Sequence, residues 1–361
     1  MAGSRKTQGL IDSCRAAGLN ERILILTYTR NNQREISHRL AQLPGDHGHI
    51  EVKGWFSFLL QDFIYPFLPL KFPGVQVEGF DFDSPPRRGA SKGSIDRYVN
   101  GHQQILRAHL PELAVLINEA GGRVCLNRLE KIYDRIMIDE VQDLCGYDLE
   151  ILELLIKSSI YVDMVGDIRQ AILATNEREK KNERFKHMNI LKWFQEQQRK
   201  GLLSIEHRNV TWRCAPGIAA FADKLFSPKW GFPPTESLNV TRTDHDGVFL
   251  IPPDHVEEYY ERYRPLLLRH SKRSGRSFDH LGYLNFGQAK GLQRRRVLIY
   301  PTDPIKRMLI DGKMLTDIQA AHLYVAVTRA EQSVGFILSP PKDAKYPIWT
   351  PSRGLVQPCR R

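Results

Sequence analysis

The sequence has no apolar run approaching the ~18 residues of a membrane span. Its basic start, Met1-Ala2-Gly3-Ser4-Arg5-Lys6, has no apolar core behind it. Neither a membrane helix nor a secretory leader is expected. Cysteine is sparse: Cys14, Cys125, Cys145, Cys214 and Cys359 are scattered, odd in number and never spaced as CxxC. That argues against a zinc site and a disulfide framework, and suits a reducing, cytoplasmic setting. Internal repeats and low-complexity tracts are missing. Acid is outnumbered, 41 Asp+Glu against 52 Lys+Arg.

What is present fits a globular chain. The 361 residues, 42% hydrophobic and 26% charged, suffice for two domains with a core each. The net charge of +11 suits a polyanion, because each phosphate neutralised releases counterions. A basic, solvated surface explains the same charge equally well.

Short β-branched runs alternate with longer helical stretches. Ile23–Thr27, Arg135–Ile138 and Ile160–Val165 read as buried strands, the last ending at Gly166-Asp167. Between the last two, Asp148–Lys157 places Leu149, Leu152 and Ile156 at helical spacing. Strand, helix, strand with polar strand ends predicts an α/β fold on parallel sheets. Ligands sit at the carboxyl ends of such strands, where the acids fall here. Asp81–Arg97 reads as a loop within an insertion, and Asn176–Lys186 as a surface loop or exposed helix. A second body is expected from near Leu203, with strands at Val248–Ile251, His280–Leu284, Val297–Tyr300 and Val334–Leu338.

Two segments carry chemistry on their own residues. Ala2-Gly3-Ser4-Arg5-Lys6-Thr7 offers the lysine and hydroxyl that a phosphate-binding loop needs, with Gln8–Ala17 able to form the helix behind it. A basic terminus containing a serine is the plainer reading of that segment alone. Asp139-Glu140-Val141-Gln142-Asp143 follows an apolar strand. Asp139 there can hold Mg²⁺, and Glu140 can polarise the water that attacks a γ-phosphate. The plainer reading is an acidic turn, with Asp143 capping a helix from Leu144 onward.

Further blocks follow in order along the chain. They are Leu26-Thr27-Tyr28-Thr29-Arg30-Asn31, Gly54-Trp55-Phe56-Ser57-Phe58-Leu59 and Val165-Gly166-Asp167-Ile168-Arg169-Gln170. Later come Thr211-Trp212-Arg213-Cys214, Gln288-Ala289-Lys290-Gly291-Leu292-Gln293 and Leu323-Tyr324-Val325-Ala326-Val327-Thr328-Arg329-Ala330. Taken together they resemble the motifs of UvrD/PcrA-like superfamily 1 helicases, over nearly the whole chain.

The resemblance implies two RecA-like parallel-sheet lobes, a first at 1–205 with a small inserted arm at about 54–122, and a second at 206–361. It implies ATP and Mg²⁺ held in a cleft between the lobes. Gly3, Ser4, Lys6, Thr7 and Gln8 would bind nucleotide, with Trp212 on the adenine, Gln293 near the ribose and Gly291 beside it. Thr7 and Asp139 would hold the metal. Glu140, Gln170, Arg213 and Arg329 would be catalytic, the last two as arginine fingers whose plainer reading is ion-paired arginine. Thr27, Tyr28, Thr29, Arg30 and Trp55 would touch a single strand, although Trp55 and Phe56 also suit a core.

Four departures from the pattern stand out. Arg5 replaces the glycine before the lysine, costing ~1–2 kcal/mol if its φ is positive. The strand expected before the loop is not in this sequence, which suggests that the native N-terminus lies upstream. Ala171-Ile172-Leu173 follows Gln170, where the family places a base-stacking aromatic. The inserted arms are small, about 70 residues between Arg213 and Asn285 and about 100 between Asn31 and Asp139. The expected activity is an ATP-driven translocase or helicase on single-stranded or partly single-stranded DNA. The alternative is a nucleotide-gated regulatory subunit of a nuclease or anti-phage defence complex with little unwinding. A degenerate ATPase that only binds nucleic acid fits poorly with Glu140, Gln170, Arg213 and Arg329 together.

Overall fold

The computed structural model describes residues 1–351 except 86 and 88, together with the backbone of 354–356. It divides into two compact units. One comprises Lys6–Gly166 and Ala174–Ile205; the other comprises Met1–Arg5, Asp167–Leu173 and Glu206 onward.

In the first unit, strands β1 (Ile23–Thr27), β2 (Ile50–Gly54), β5 (Arg135–Ile138) and β6 (Tyr161–Met164) form a parallel sheet in the order β2-β1-β5-β6 among the described residues. Every residue of β1 is buried, as a strand covered on both faces requires. Leu10, Ile11 and Cys14 of helix Lys6–Ala16 and Ile36 and Leu40 of helix Arg30–Ala41 pack on Ile23, Ile25 and Met137. The register sets Leu26 beside Ile138 and Thr27 beside Gly54. Thr27 and Gly54, the last residues of β1 and β2, and Asp139, the first after β5, therefore lie at the carboxyl end of the sheet. Strands β3 (Gly79–Asp81) and β4 (Gln104–Leu106) form a separate parallel pair before the buried helix Leu110–Ala120.

The second unit holds a small parallel pair, β7 (Val210–Thr211) with β8 (Glu236–Ser237). Its main sheet contains β9 (Gly247–Ile251), β10 (Leu266–Arg269), β11 (Leu284–Asn285), β12 (Arg294–Ile299), β13 (Ala330–Ile337), β14 (Ile348–Thr350) and β15 (Gly354–Val356). The order among the described residues is β11-β10-β12-β13-β9-β14-β15, parallel throughout except for the final β14–β15 hairpin. Phe249, Ile251, Val256, Tyr259, Leu267, Leu298, Ile337 and Trp349 form its core. Both units are thus α/β on parallel sheets, as expected.

Three local expectations are corrected. His280–Leu284 is not a strand: a 3₁₀ segment runs to Leu281, Gly282 turns at φ 78°, and pairing is limited to Leu284–Asn285. Asp143 caps no helix at Leu144, because it closes a 3₁₀ turn and the helix begins at Asp148. The first helix starts at Lys6, ahead of Gln8. Cys359 lies outside the described residues. No described helix is long and apolar enough to cross a membrane.

Candidate active site

In the first unit, helix Lys6–Ala16 begins at the edge where β5 ends. Thr7 Oγ1 donates to Asp139 Oδ2 at 3.0 Å, joining residues 132 positions apart in sequence. Asp139 is 3% exposed. Burial, then the neighbouring Glu140 charge, raises its carboxyl pKa to about 6, against the opposing pull of the Thr7 hydrogen bond and the Lys6 charge. A hydroxyl and a desolvated carboxylate at this separation suit a Mg²⁺ that completes its shell with phosphates and water. Among the described residues no cluster of three His, Cys, Asp or Glu could cage a metal alone.

Glu140 has φ 57°, a conformation uncommon for a side-chain-bearing residue. Its backbone N–H donates to Asp139 Oδ1 at 2.9 Å, and its carboxylate accepts from the buried Gln142 amide. Gly166 supplies the room, since a Cβ there would lie 2.5 Å from Gln142 Oε1. Gln8 donates to Asp12 at 3.1 Å and accepts from Arg39 at 3.2 Å, along its own helix and the next.

The second unit holds the rest. Gly3 has φ 70°, and a Cβ there would meet Arg213 Cβ at 2.6 Å and Thr211 Oγ1 at 2.7 Å. Its carbonyl accepts from Trp212 N at 3.1 Å. Ser4 is 3% exposed and turns its hydroxyl to Met1 O at 2.8 Å. Arg5 has φ 55°, so the strain conditional on a positive φ is present. Its guanidinium carbon lies 4.7 Å from the centroid of the Trp212 ring, and Trp212 is 39% exposed.

The two candidate fingers meet at Thr328. Arg213 donates to Thr328 O at 3.2 Å and to Gln293 Oε1 at 3.1 Å. Arg329, 2% exposed, donates to Thr328 Oγ1 at 3.3 Å and to Gln170 Oε1 at 3.1 Å. Gln293 also donates to Glu331 at 2.7 Å, and Gly291 is exposed at φ 87°.

Sequence reasoning left Asp167 and Tyr324 without roles, although both stand in quoted blocks. Asp167 Oδ2 accepts from Gln170 at 2.8 Å and from the Tyr324 hydroxyl at 3.2 Å, which orients the glutamine that Arg329 reaches. An acid three residues before Gln170, able to cap its short turn, was the available signal.

The expected strand-contacting residues divide. Thr27 is 1% exposed, and Trp55, also 1% exposed, donates its indole N–H to the buried Asp148 at 2.7 Å. Both therefore sit in the interior of the first unit, whereas the resemblance implies that they touch a single strand. Thr29 caps helix Arg30–Ala41 by accepting from Asn32 N, Tyr28 is half-buried, and Arg30 is exposed. Ala171 and Ile172 are buried, so the missing aromatic after Gln170 is replaced by core.

Residues 97–182 match the family described as UvrD/REP helicase N-terminal domain, a stretch that includes Asp139, Glu140 and Gln170. No curated protein matches the chain. Among solved structures, the helicase of PRRSV is similar at 12% identity, with 93% of this chain and 50% of that one covered and a TM-score of 0.46. The arterivirus nonstructural protein 10 helicase is similar at 17%, covering 93% and 58% with a TM-score of 0.48. Its complex with DNA gives 16%, 95% and 59%, again at 0.48. The chain spans between half and three fifths of the length of these structures.

Proposed function

We propose that this UvrD-like superfamily 1 chain hydrolyses ATP to move along single-stranded or partly single-stranded DNA. The observation that carries the reading is the Thr7–Asp139 pair. A hydroxyl at a helix start meets the first acid of an Asp-Glu pair at a strand end, 3.0 Å away. Phosphoryl transfer asks mainly for positioning and for cations placed on spreading negative charge.

Each unit carries part of that equipment. In the first, Lys6 would face the β- and γ-phosphates, Thr7 and Asp139 would hold Mg²⁺, and Glu140 would accept a proton from the attacking water. Mg²⁺, when bound, neutralises phosphate charge. The second would contribute Gln170 and the guanidinium groups of Arg213 and Arg329 as phosphate-binding groups. Trp212 offers a ring to the adenine, while Gly3, Ser4 and Gln8 line the phosphate loop and Gly291 and Gln293 the ribose. Tyr28, Thr29 and Arg30 meet the strand.

The test is ATP hydrolysis with and without a thymidine oligonucleotide, for the chain and for Glu140→Gln. DNA-stimulated turnover should fall at least ~100-fold in the variant while ATP binding persists, the size expected for loss of a general base. ATP binding without turnover in the unaltered chain would replace the motor with a nucleotide-gated regulatory subunit of a nuclease or defence complex.

A further inference from the structure

Beside the carboxyl end of the first unit's sheet lies an aromatic cluster that joins two rings of the motif blocks to two of the insertion that no block includes. Tyr28 follows β1 and Phe56 follows β2, their ring centroids 5.7 Å apart. The insertion adds Phe80 and Phe82, whose centroids lie 6.0 and 5.8 Å from that of Phe56 and 6.1 Å from each other. Phe82, at the outer end, is 48% exposed.

Arg107 lies over this outer ring, its guanidinium carbon 4.4 Å from the Phe82 centroid. It is half-buried, yet among the described residues no carboxylate or carbonyl pairs with it. A partly desolvated cation without a counter-ion is costly, and an arriving anion relieves that cost. The acid between the two phenylalanines does not supply one. Asp81 is turned into its own loop, accepting from Asp83 N at 3.1 Å, Ser84 N at 2.9 Å and Asn100 Nδ2 at 2.8 Å.

We infer that Phe82 and Arg107 form a stacking platform for a base of single-stranded nucleic acid, with Arg107 taking the adjoining phosphate. An apolar peptide would use the rings but leave the guanidinium unpaired. A nucleotide satisfies both, because every base has a face to stack and every link carries a charge. Arg30, two residues after Tyr28 in sequence, is exposed. This places stacking on the insertion, in a chain whose segment after Gln170 is buried and aliphatic. The inference rests on the reading of the chain as a nucleic-acid motor and names one contact within it.

The experiment is fluorescence anisotropy of a labelled thymidine oligonucleotide with the full chain, Phe82→Ala, Phe82→Trp, Arg107→Ala and Arg107→Lys, over a salt series. Phe82→Ala should weaken binding roughly ten-fold while Phe82→Trp keeps it. Arg107→Ala should weaken binding and lower the salt slope by about one, with partial recovery in Arg107→Lys. ATP hydrolysis without DNA should be unchanged in all four. If the chain binds the oligonucleotide and both alanine variants bind it equally well, the platform is overturned while the motor stands; a protein segment as occupant would give that result. If the unaltered chain does not bind the oligonucleotide, both readings fall.

Discussion

A side chain at position 5 is held at φ 55°, where glycine would rest without strain. Its guanidinium recovers part of that cost by lying on Trp212. Arg5→Ala and Arg5→Gly both delete this contact, but only glycine removes the strain. The glycine variant should therefore be the more stable of the two by about 1 kcal/mol, after its larger unfolded-state entropy is subtracted. Denaturant midpoints of the two variants measure the difference, and a higher midpoint for alanine would mean that position 5 is unstrained. Gly3 is the contrasting case. Its substitution drives a Cβ into Arg213 and Thr211, so Gly3→Ala should lower both stability and nucleotide affinity, read by melting and by ATP titration.

Among elements, the segment from Gly54 to Phe58 is tied to the helix from Asp148 by the Trp55–Asp148 hydrogen bond. Trp55→Phe keeps most of the apolar bulk but removes the N–H donated to Asp148, which should cost about 1–3 kcal/mol in urea unfolding. A loss no larger than that of a surface substitution would show the bond to be unimportant. Elements whose own residues carry their signal were legible in advance: β1, β5 and the helix from Asp148 are apolar runs of the right period. Illegible were features set by a distant partner. Trp55 sits in a motif-like block, and its burial depends on an acid 93 positions later. Strand β11 was overestimated because the run before it looked like a strand, while Gly282 at φ 78° turns the chain there. At the candidate site the residues were legible as blocks. That Arg213 and Arg329 share Thr328, and that Asp167 orients Gln170, needed the fold.

At the scale of the whole molecule, the two units respond to acid in opposite directions. In the first, burial raises Asp148 to about 6, opposed by hydrogen bonds from Thr175 and Trp55. Ionising it in the folded state is unfavourable, so its destabilising effect is absent below the unfolded value of 3.8 and complete above about 6. In the second, burial and the Arg296 charge lower His245 to about 4, where it stacks between Phe249 and Tyr263. The unfolded chain takes up that proton first, so stability falls as pH drops from about 6.5 towards 4. Hydrogen exchange at pH 7.5 and 5 should show the first unit gaining protection, after correction for intrinsic rates, and the second losing it, by about 1–2 kcal/mol each, since pH 5 lies inside both titrations. Asp148→Asn should reduce the first response and leave the part that Asp139 contributes. Shifts of the same sign in both units would contradict this assignment.

The second unit also draws on three separated stretches of chain, and the amide of Ala2 donates to the hydroxyl of Tyr324, 322 positions away. During synthesis Met1–Arg5 must wait until Tyr324 has emerged, whereas the sheet of the first unit and the helices on it draw on residues 6–166. Closing so long a loop adds only logarithmically to the entropy lost, but contacts of such separation form late and slowly. Maturation should thus proceed in two stages, with Met1–Arg5 open to proteases until helix Asp317–Val327 arrives.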